Sequence, residues 1–248
     1  MDRHVYGWRG KFGFICPSLS DTVSLEFYKI LPHGILVTAA DQRVQNLVQE
    51  DFSRAVATLE QAAKVLDYEE VQVMIIGGTP PLLRAGFDTP EKLIEDFERK
   101  FKKPFSTTPT SEVRAMHSLG LKKILLVTPY KPALLDEVKR YFEYKGFEVV
   151  HGNGANIDRN LDLVKHTGHQ LYQLVRDAVQ KAPGQFDGIH IACPRWPVVS
   201  MVEALESDFG VPVVSTAQAL VWQALTFLGI REVRPGSGLL FESFKKTV

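Results

Sequence analysis

Cys193 ends the apolar run Ile189-His190-Ile191-Ala192 and precedes Pro194-Arg195-Trp196. A thiol between a strand and a helix starting near Val198 is expected to lie close to a helix N-terminus. Free N–H groups and the dipole there lower its pKa and make it a proton donor or nucleophile. The blander reading of the same residue is a small buried apolar side chain. A second segment shifts the balance: Met74-Ile75-Ile76-Gly77-Gly78-Thr79-Pro80 matches the cysteine segment but carries Gly78 where the thiol stands. Glycine there suits a backbone that approaches an anion closely, with N–H groups and the Thr79 hydroxyl as donors. Thr128-Pro129-Tyr130 sets a phenol just past another strand, where it either hydrogen-bonds a carboxylate or packs by its apolar body. Arg195 offers a guanidinium to a carboxylate, unless it is a solvated loop charge, and Trp196 offers an apolar wall.

These residues fall at corresponding places of a duplicated chain. Ser106-Thr107 is followed thirteen residues later by Gly120; Ser215-Thr216, about 109 residues further on, is followed thirteen residues later by Gly229. Each pair brackets a stretch of helical apolar spacing, the pattern of a capped helix with a glycine stop. Gly13-Phe14-Ile15-Cys16-Pro17 likewise recurs as Leu125-Leu126-Val127-Thr128-Pro129. Two like halves facing each other make one cleft lined by matching loops.

Runs that are apolar throughout, at 71–76, 124–127, 189–192 and 211–214, predict strands buried on both faces. Amphipathic stretches at 52–66, 90–101, 134–145, 171–181, 198–208 and 217–228 predict helices between them. The alternation specifies an α/β fold of two pseudo-symmetric Rossmann-like half-domains, each with a parallel four-stranded sheet, and a cleft between them. The expected division is 1–110 with 217–248 for one half and 111–216 for the other. Ligands of such sheets bind beyond the carboxyl ends of the strands. That rule brings Pro17, Ser18 and Ser20 to the cleft, with the loops at 77–81, 106–110, 128–130, 193–197 and 215–218. The Gly-rich stretch from His151 to Asn156 is expected to be irregular, between a strand and a helix.

Composition narrows the partners. Lys plus Arg and Asp plus Glu each number 29 in 248 residues, so no net field favours nucleic acid or an anionic membrane. No segment reaches the length of a membrane span, and the N-terminal residues carry no apolar signal core, which reads as a cytoplasmic protein. Cys16 and Cys193 are the two cysteines, too few for a disulfide framework, and the seven His residues lack ligand spacing, so no metal is expected. Neither a Walker loop nor G-x-G-x-x-G follows a strand, and no nucleotide cofactor is expected.

Taken in order, Gly13-Phe14-Ile15-Cys16-Pro17-Ser18, Gly78-Thr79, Thr128-Pro129-Tyr130, Cys193, Gly210-Val211-Pro212-Val213-Val214-Ser215 and the tail from Arg234 to Ser243 resemble the aspartate/glutamate racemase superfamily. The similarity is to its arylmalonate decarboxylase and maleate cis-trans isomerase branch. In that family, racemases and the isomerase carry a cysteine in each half, whereas the decarboxylases keep the second and have glycine in the first, as at Gly78 and Cys193. The resemblance implies a cofactor-independent lyase acting on a malonate-type dicarboxylic acid. Catalytic Cys193 would protonate an enediolate held by Thr79, Tyr130 and the Cys193 loop, with Pro17, Ser18, Ser20, Gly78, Pro194 and Arg195 completing the substrate site. A maleate isomerase or Asp/Glu-type racemase is the alternative; a carboxylate-binding protein without chemistry is another. This chain departs from the decarboxylase pattern at Pro80, where a hydroxyl residue is usual, and at Pro194-Arg195, where the pattern has Gly-Gly. The expected partner is a small carboxylic acid, and assembly into a homo-oligomer stays open.

Overall fold

The computed structural model describes residues 5–18 and 21–245. Its first half runs β1 (Gly10–Cys16), α1 (Asp21–Ile30), β2 (Ile35–Asp41), α2 (Gln49–Ala57), α3 (Leu59–Tyr68), β3 (Val73–Ile76), α4 (Thr79–Leu83), α5 (Thr89–Phe101), β4 (Phe105–Thr107) and α6 (Thr108–Ser118). The second runs β5 (Lys123–Thr128), α7 (Pro132–Tyr144), β6 (Glu148–Gly154), α8 (Gly168–Lys181), β7 (Gly188–Ile191), α9 (Val202–Phe209), β8 (Val213–Ser215), α10 (Thr216–Leu228) and α11 (Glu242–Lys245). All sheet pairs are parallel, and the strand orders, β2-β1-β3-β4 and β6-β5-β7-β8, are the same order twice. The duplicated α/β architecture expected from the sequence is therefore what the chain forms.

Alternate side chains of a strand face opposite sides, so apolar runs supply two cores each. In β1, Phe12, Phe14 and Cys16 enter a cluster shared by both halves, with Ile124 and Leu126 of β5. Ile15 turns the other way, to Met74 and Ile76 of β3. On the far side of the second sheet, Leu125 and Val127 meet Ile189 and Ile191. Helix α10 is apolar nearly all round and is correspondingly enclosed: Ala217, Leu220, Val221, Ala224 and Leu225 are buried in the shared cluster. It packs on α6, α1 and β3, tying the halves together.

Three local expectations are corrected. The helix foreseen over 52–66 is interrupted at Thr58, with φ −103° and ψ 2°. The Thr58 hydroxyl donates to the carbonyls of Ala55 at 3.0 Å and Arg54 at 3.3 Å, competing with the helical ladder. Residues 199–201 form a 3₁₀ turn, so α9 begins only at Val202. The stretch at 151–154 is not irregular: it continues β6, paired from Leu125↔His151 to Thr128↔Gly154 after a register shift between Ile124 and Leu125. Among the described residues, no helix is long and apolar enough to cross a membrane.

The turn after β3 depends on Gly77, whose N–H donates to the Ile15 carbonyl at 2.7 Å. A Cβ at this position would lie 2.5 Å from that same oxygen and 2.7 Å from Pro17 Cδ. The matching Ala192 donates to Val127 at 2.8 Å and does carry a Cβ, so the first turn is the tighter of the two. Gly77→Ala is expected to lower stability by about 1–3 kcal/mol, the usual range for overpacking, read as a fall in the urea midpoint. An unchanged midpoint would show that the Ile15 carbonyl can move aside.

Candidate active site

The ends of β3 and β7 carry the same backbone device. Gly78 has φ 93° and Cys193 has φ 97°. The N–H of Gly78 donates to Thr108 Oγ1 at 3.2 Å, and that of Cys193 to Thr216 Oγ1 at 3.0 Å. Each threonine opens a helix whose cap lies one residue earlier. The Thr107 hydroxyl accepts from the Thr110 N–H, and the Ser215 hydroxyl from the Gln218 N–H in a reciprocal capping box. Thr107 thus corresponds to Ser215 and Thr108 to Thr216, one residue out of step with the Ser-Thr match read from the sequence. Glycine holds a positive φ without strain, whereas a cysteine there costs about 1–3 kcal/mol and persists only where its surroundings enforce it.

Both turns open on one cavity of about 60 Å³, lined by Cys193, Pro194 and Arg195 from one side and Gly78 and Thr79 from the other. Pro17, Ser18 and Tyr130 also line it, so these expected site residues converge; Ser20 lies outside the described residues. Trp196 does not line this cavity and is buried in the second-half core. Space for one water corresponds to about 10–15 Å³ on this measure, so the cavity suits a compact acid. Much of the remaining wall is apolar: Val23, Val44, Leu47, Phe52 and Leu163.

Several expected donors are already engaged. The Gly78 N–H is held by Thr108, and the Thr79 hydroxyl donates to Glu112 Oε2 at 3.0 Å, so neither points a free proton at a ligand in this arrangement. Tyr130 differs. Its N–H is held by Thr128 Oγ1 at 3.1 Å, but the hydroxyl of this buried residue makes no hydrogen bond to the protein among the described residues. Burial first, then the neighbouring Cys193 and Glu112, push the Tyr130 pKa well up, keeping the phenol a donor. Arg195 is a buried cation, 5% exposed, rather than a solvated one; its Nη1 donates to the Asn160 carbonyl at 3.0 Å and to Asn160 Oδ1 at 3.2 Å.

The Cys193 thiol is not acidified as its sequence position suggested. Burial raises its pKa from 9.0 to about 11. That outweighs hydrogen bonds from the Arg195 and Trp196 N–H groups and the Arg195 charge, while Glu112 adds a further upward push. The 3₁₀ turn delays α9 to Val202, so no helix begins immediately beyond the thiol. At neutral pH Cys193 is a thiol, the form that gives a proton. Cys16 also lines the cavity. Burial raises it to about 12, against a lowering by the Ser18 N–H. Its sulfur occupies the place of the Thr128 hydroxyl, which takes the Tyr130 N–H, so its evident work is to seat the loop.

Sequence reading passed over Glu112, His190 and Asn160. Glu112 lies on the inward stripe of α6 with Thr108, Ala115 and Met116, and His190 sits inside an apolar strand; both periodicities place them in the interior. Asn160 belongs to a 3₁₀ turn and gave no such signal; its Nδ2 donates to the Val44 carbonyl at 3.1 Å, lacing the two halves at the cavity.

Fold and cavity define a duplicated α/β protein with a buried thiol on one of two equivalent turns. A family model described as arylmalonate decarboxylase matches residues 12–241, and the chain belongs to that family. Relatives carry out two reactions. Maleate isomerase of Pseudomonas putida is 24% identical over 246 residues, covering 93% of this chain and 96% of the relative. Arylmalonate decarboxylase of Bordetella bronchiseptica is 21% identical over 231 residues, covering 93% and 95%. A maleate isomerase of Pseudomonas putida S16, a cysteine-to-alanine variant solved with maleate, superposes with a TM-score of 0.87 at 22% identity, covering 94% of this chain and 98% of that one.

The shared φ predicts that Gly78→Cys folds, with its Cβ about 3.1 Å from Pro17 and Pro81 and those rings giving way by a few tenths of an ångström. A second thiol would then face Cys193. The expected result is new or faster exchange of the α-hydrogen of a chiral acid in heavy water, followed by NMR; a folded variant without exchange would show that the two turns do not address opposite faces of one carbon.

Proposed function

We propose that this protein is a cofactor-independent carboxy-lyase acting on a compact malonate-type dicarboxylic acid. The carrying observation is the asymmetry between two turns of nearly equal φ, one bearing a thiol and the other a glycine. A substrate between them meets a proton donor on one face only. One C–C bond breaks and CO₂ leaves, its bonding pair passing into the remaining carboxylate as an enediolate. Tyr130 and Arg195 line the cavity where that charge would develop and would supply its donors, and fixed donors of this kind are worth most when water is excluded. The apolar wall from Val44 to Phe52 solvates a departing carboxylate poorly, which favours its loss as neutral CO₂. The Cys193 S–H then gives its proton to the α-carbon, and water reprotonates the thiolate.

An isomerase reading is favoured by one observation: Cys16 also lines the cavity, giving it a second thiol despite Gly78. Against it stand the high Cys16 pKa, which leaves little thiolate for addition to a double bond, and the loop-seating place of its sulfur.

The deciding experiment is incubation with methylmalonate, methyl(phenyl)malonate and maleate in heavy water. Release of CO₂ with a single-handed α-deuterated product is expected, and conversion of maleate to fumarate without CO₂ would replace this reading with the isomerase. Cys193→Ser should keep its fold and lose at least about 10²-fold in turnover, since an alcohol is a far weaker acid and general acid transfer contributes about 10²–10⁴-fold. Tyr130→Phe should lose about 10²–10³-fold, the usual effect of removing one donor from a transition-state anion, with circular dichroism unchanged. Normal turnover in Tyr130→Phe would remove the phenol from the anion site.

A further inference from the structure

Behind the cavity lies a fully buried carboxylate that the chemistry above does not use. Glu112, on α6, is reached from both halves: the Thr79 hydroxyl donates to its Oε2 at 3.0 Å and the Thr216 hydroxyl to its Oε1 at 2.5 Å. Thr216 is the residue that accepts the Cys193 N–H, and Thr79 directly follows Gly78. We infer that Glu112 is a positioning residue, one carboxylate shared by the two turns, which fixes the Cys193 backbone and the Gly78-Thr79 loop at a single separation. The inference rests on the reading of Cys193 as the proton donor.

The direction of the hydrogen bonds is what requires an acceptor here. A threonine hydroxyl has one proton, and at Thr216 that proton goes to Glu112, leaving the oxygen lone pairs for the Cys193 N–H. At the matching Thr108 the proton goes to the Ile76 carbonyl at 3.3 Å. The threonine that receives the Gly78 N–H is thus closed on its own strand, whereas the one that receives the Cys193 N–H reaches the carboxylate shared with Thr79. His190 completes the arrangement. Its Nδ1 lies 2.8 Å from the Val214 carbonyl, which can only accept, so Nδ1 carries a hydrogen; its Nε2 faces Glu112 Oε1 at 3.4 Å. Glu112 also raises the Cys193 and Tyr130 pKa values, Arg195 acting in the opposite sense on the thiol.

Glu112→Gln keeps the shape but offers one acceptor oxygen where two hydroxyls need one each. Its turnover is expected to fall by about 10²-fold, the scale of a small misplacement of reacting groups, with KM changed little because Tyr130 and Arg195 remain. Independently of any substrate, the pH midpoint for iodoacetamide alkylation of Cys193, followed by mass on its peptide, should move to lower pH as a neighbouring negative charge is lost. Thr216→Val cuts the tether and leaves the charge, so it should lose turnover without that shift. Unchanged turnover and an unchanged midpoint in folded Glu112→Gln would overturn the inference. Loss of activity in Cys193→Ser beside a normal Glu112→Gln would sink it alone and spare the lyase reading. Should Glu112→Gln not fold, Thr79→Val and Thr216→Val decide: both lose turnover if Glu112 sets the separation, and normal turnover in both overturns it.

Discussion

Everything at the cavity hangs on a left-handed backbone step taken twice, at Gly78 and Cys193, where a parallel strand gives way to a loop. The step turns the chain sharply enough to point the next residues over the strand ends. It also aims the amide inward, where the first threonine of a neighbouring helix receives it. The helices that supply those threonines, α6 and α10, are the pair that pack most extensively on each other between the two sheets. Burial of α10 in the shared core thus fixes the turns through one hydrogen bond apiece. The positive φ of Cys193, unfavourable in an unfolded chain, is carried by that packing.

Around the thiol, four influences oppose one another. Burial and Glu112 favour the protonated sulfur, whereas the Arg195 cation and the backbone N–H groups favour the thiolate. Burial prevails, and the group is a reservoir of one proton rather than a standing nucleophile. The residue whose guanidinium tempers the thiol also lines the cavity, so the cavity wall combines a neutral thiol with a buried cation.

The fold and much of the cavity wall were legible in the sequence because both follow from local signals. Strands buried on two faces leave apolar runs, capped helices leave Ser-Thr and glycine, and ligand loops follow strand ends. Pro17, Ser18, Gly78, Thr79, Tyr130, Cys193, Pro194 and Arg195 met in space for that reason. What was not legible depends on distant closure. Glu112 and Thr216 join across 104 residues of sequence, and Asn160 reaches Val44 across 116. The engagement of the Thr79 hydroxyl by Glu112 follows from that closure, as does the upward rather than downward shift of Cys193. The one-residue slip in the repeat has a plainer cause: Ser and Thr occur side by side in both copies, and only hydrogen bonding shows which of them caps.

The nearly equal φ at Gly78 and Cys193 also bears on how such proteins diversify. Glycine and cysteine codons differ by a single base, and here both residues are accepted by one loop shape. A single-base change could thus exchange glycine and thiol at a step of one φ. In the Gly78 turn the prolines at 17 and 81 are the main steric resistance. Relatives named for an isomerisation and for a decarboxylation, alike in fold, are what a scaffold with so short a mutational path between chemistries would produce.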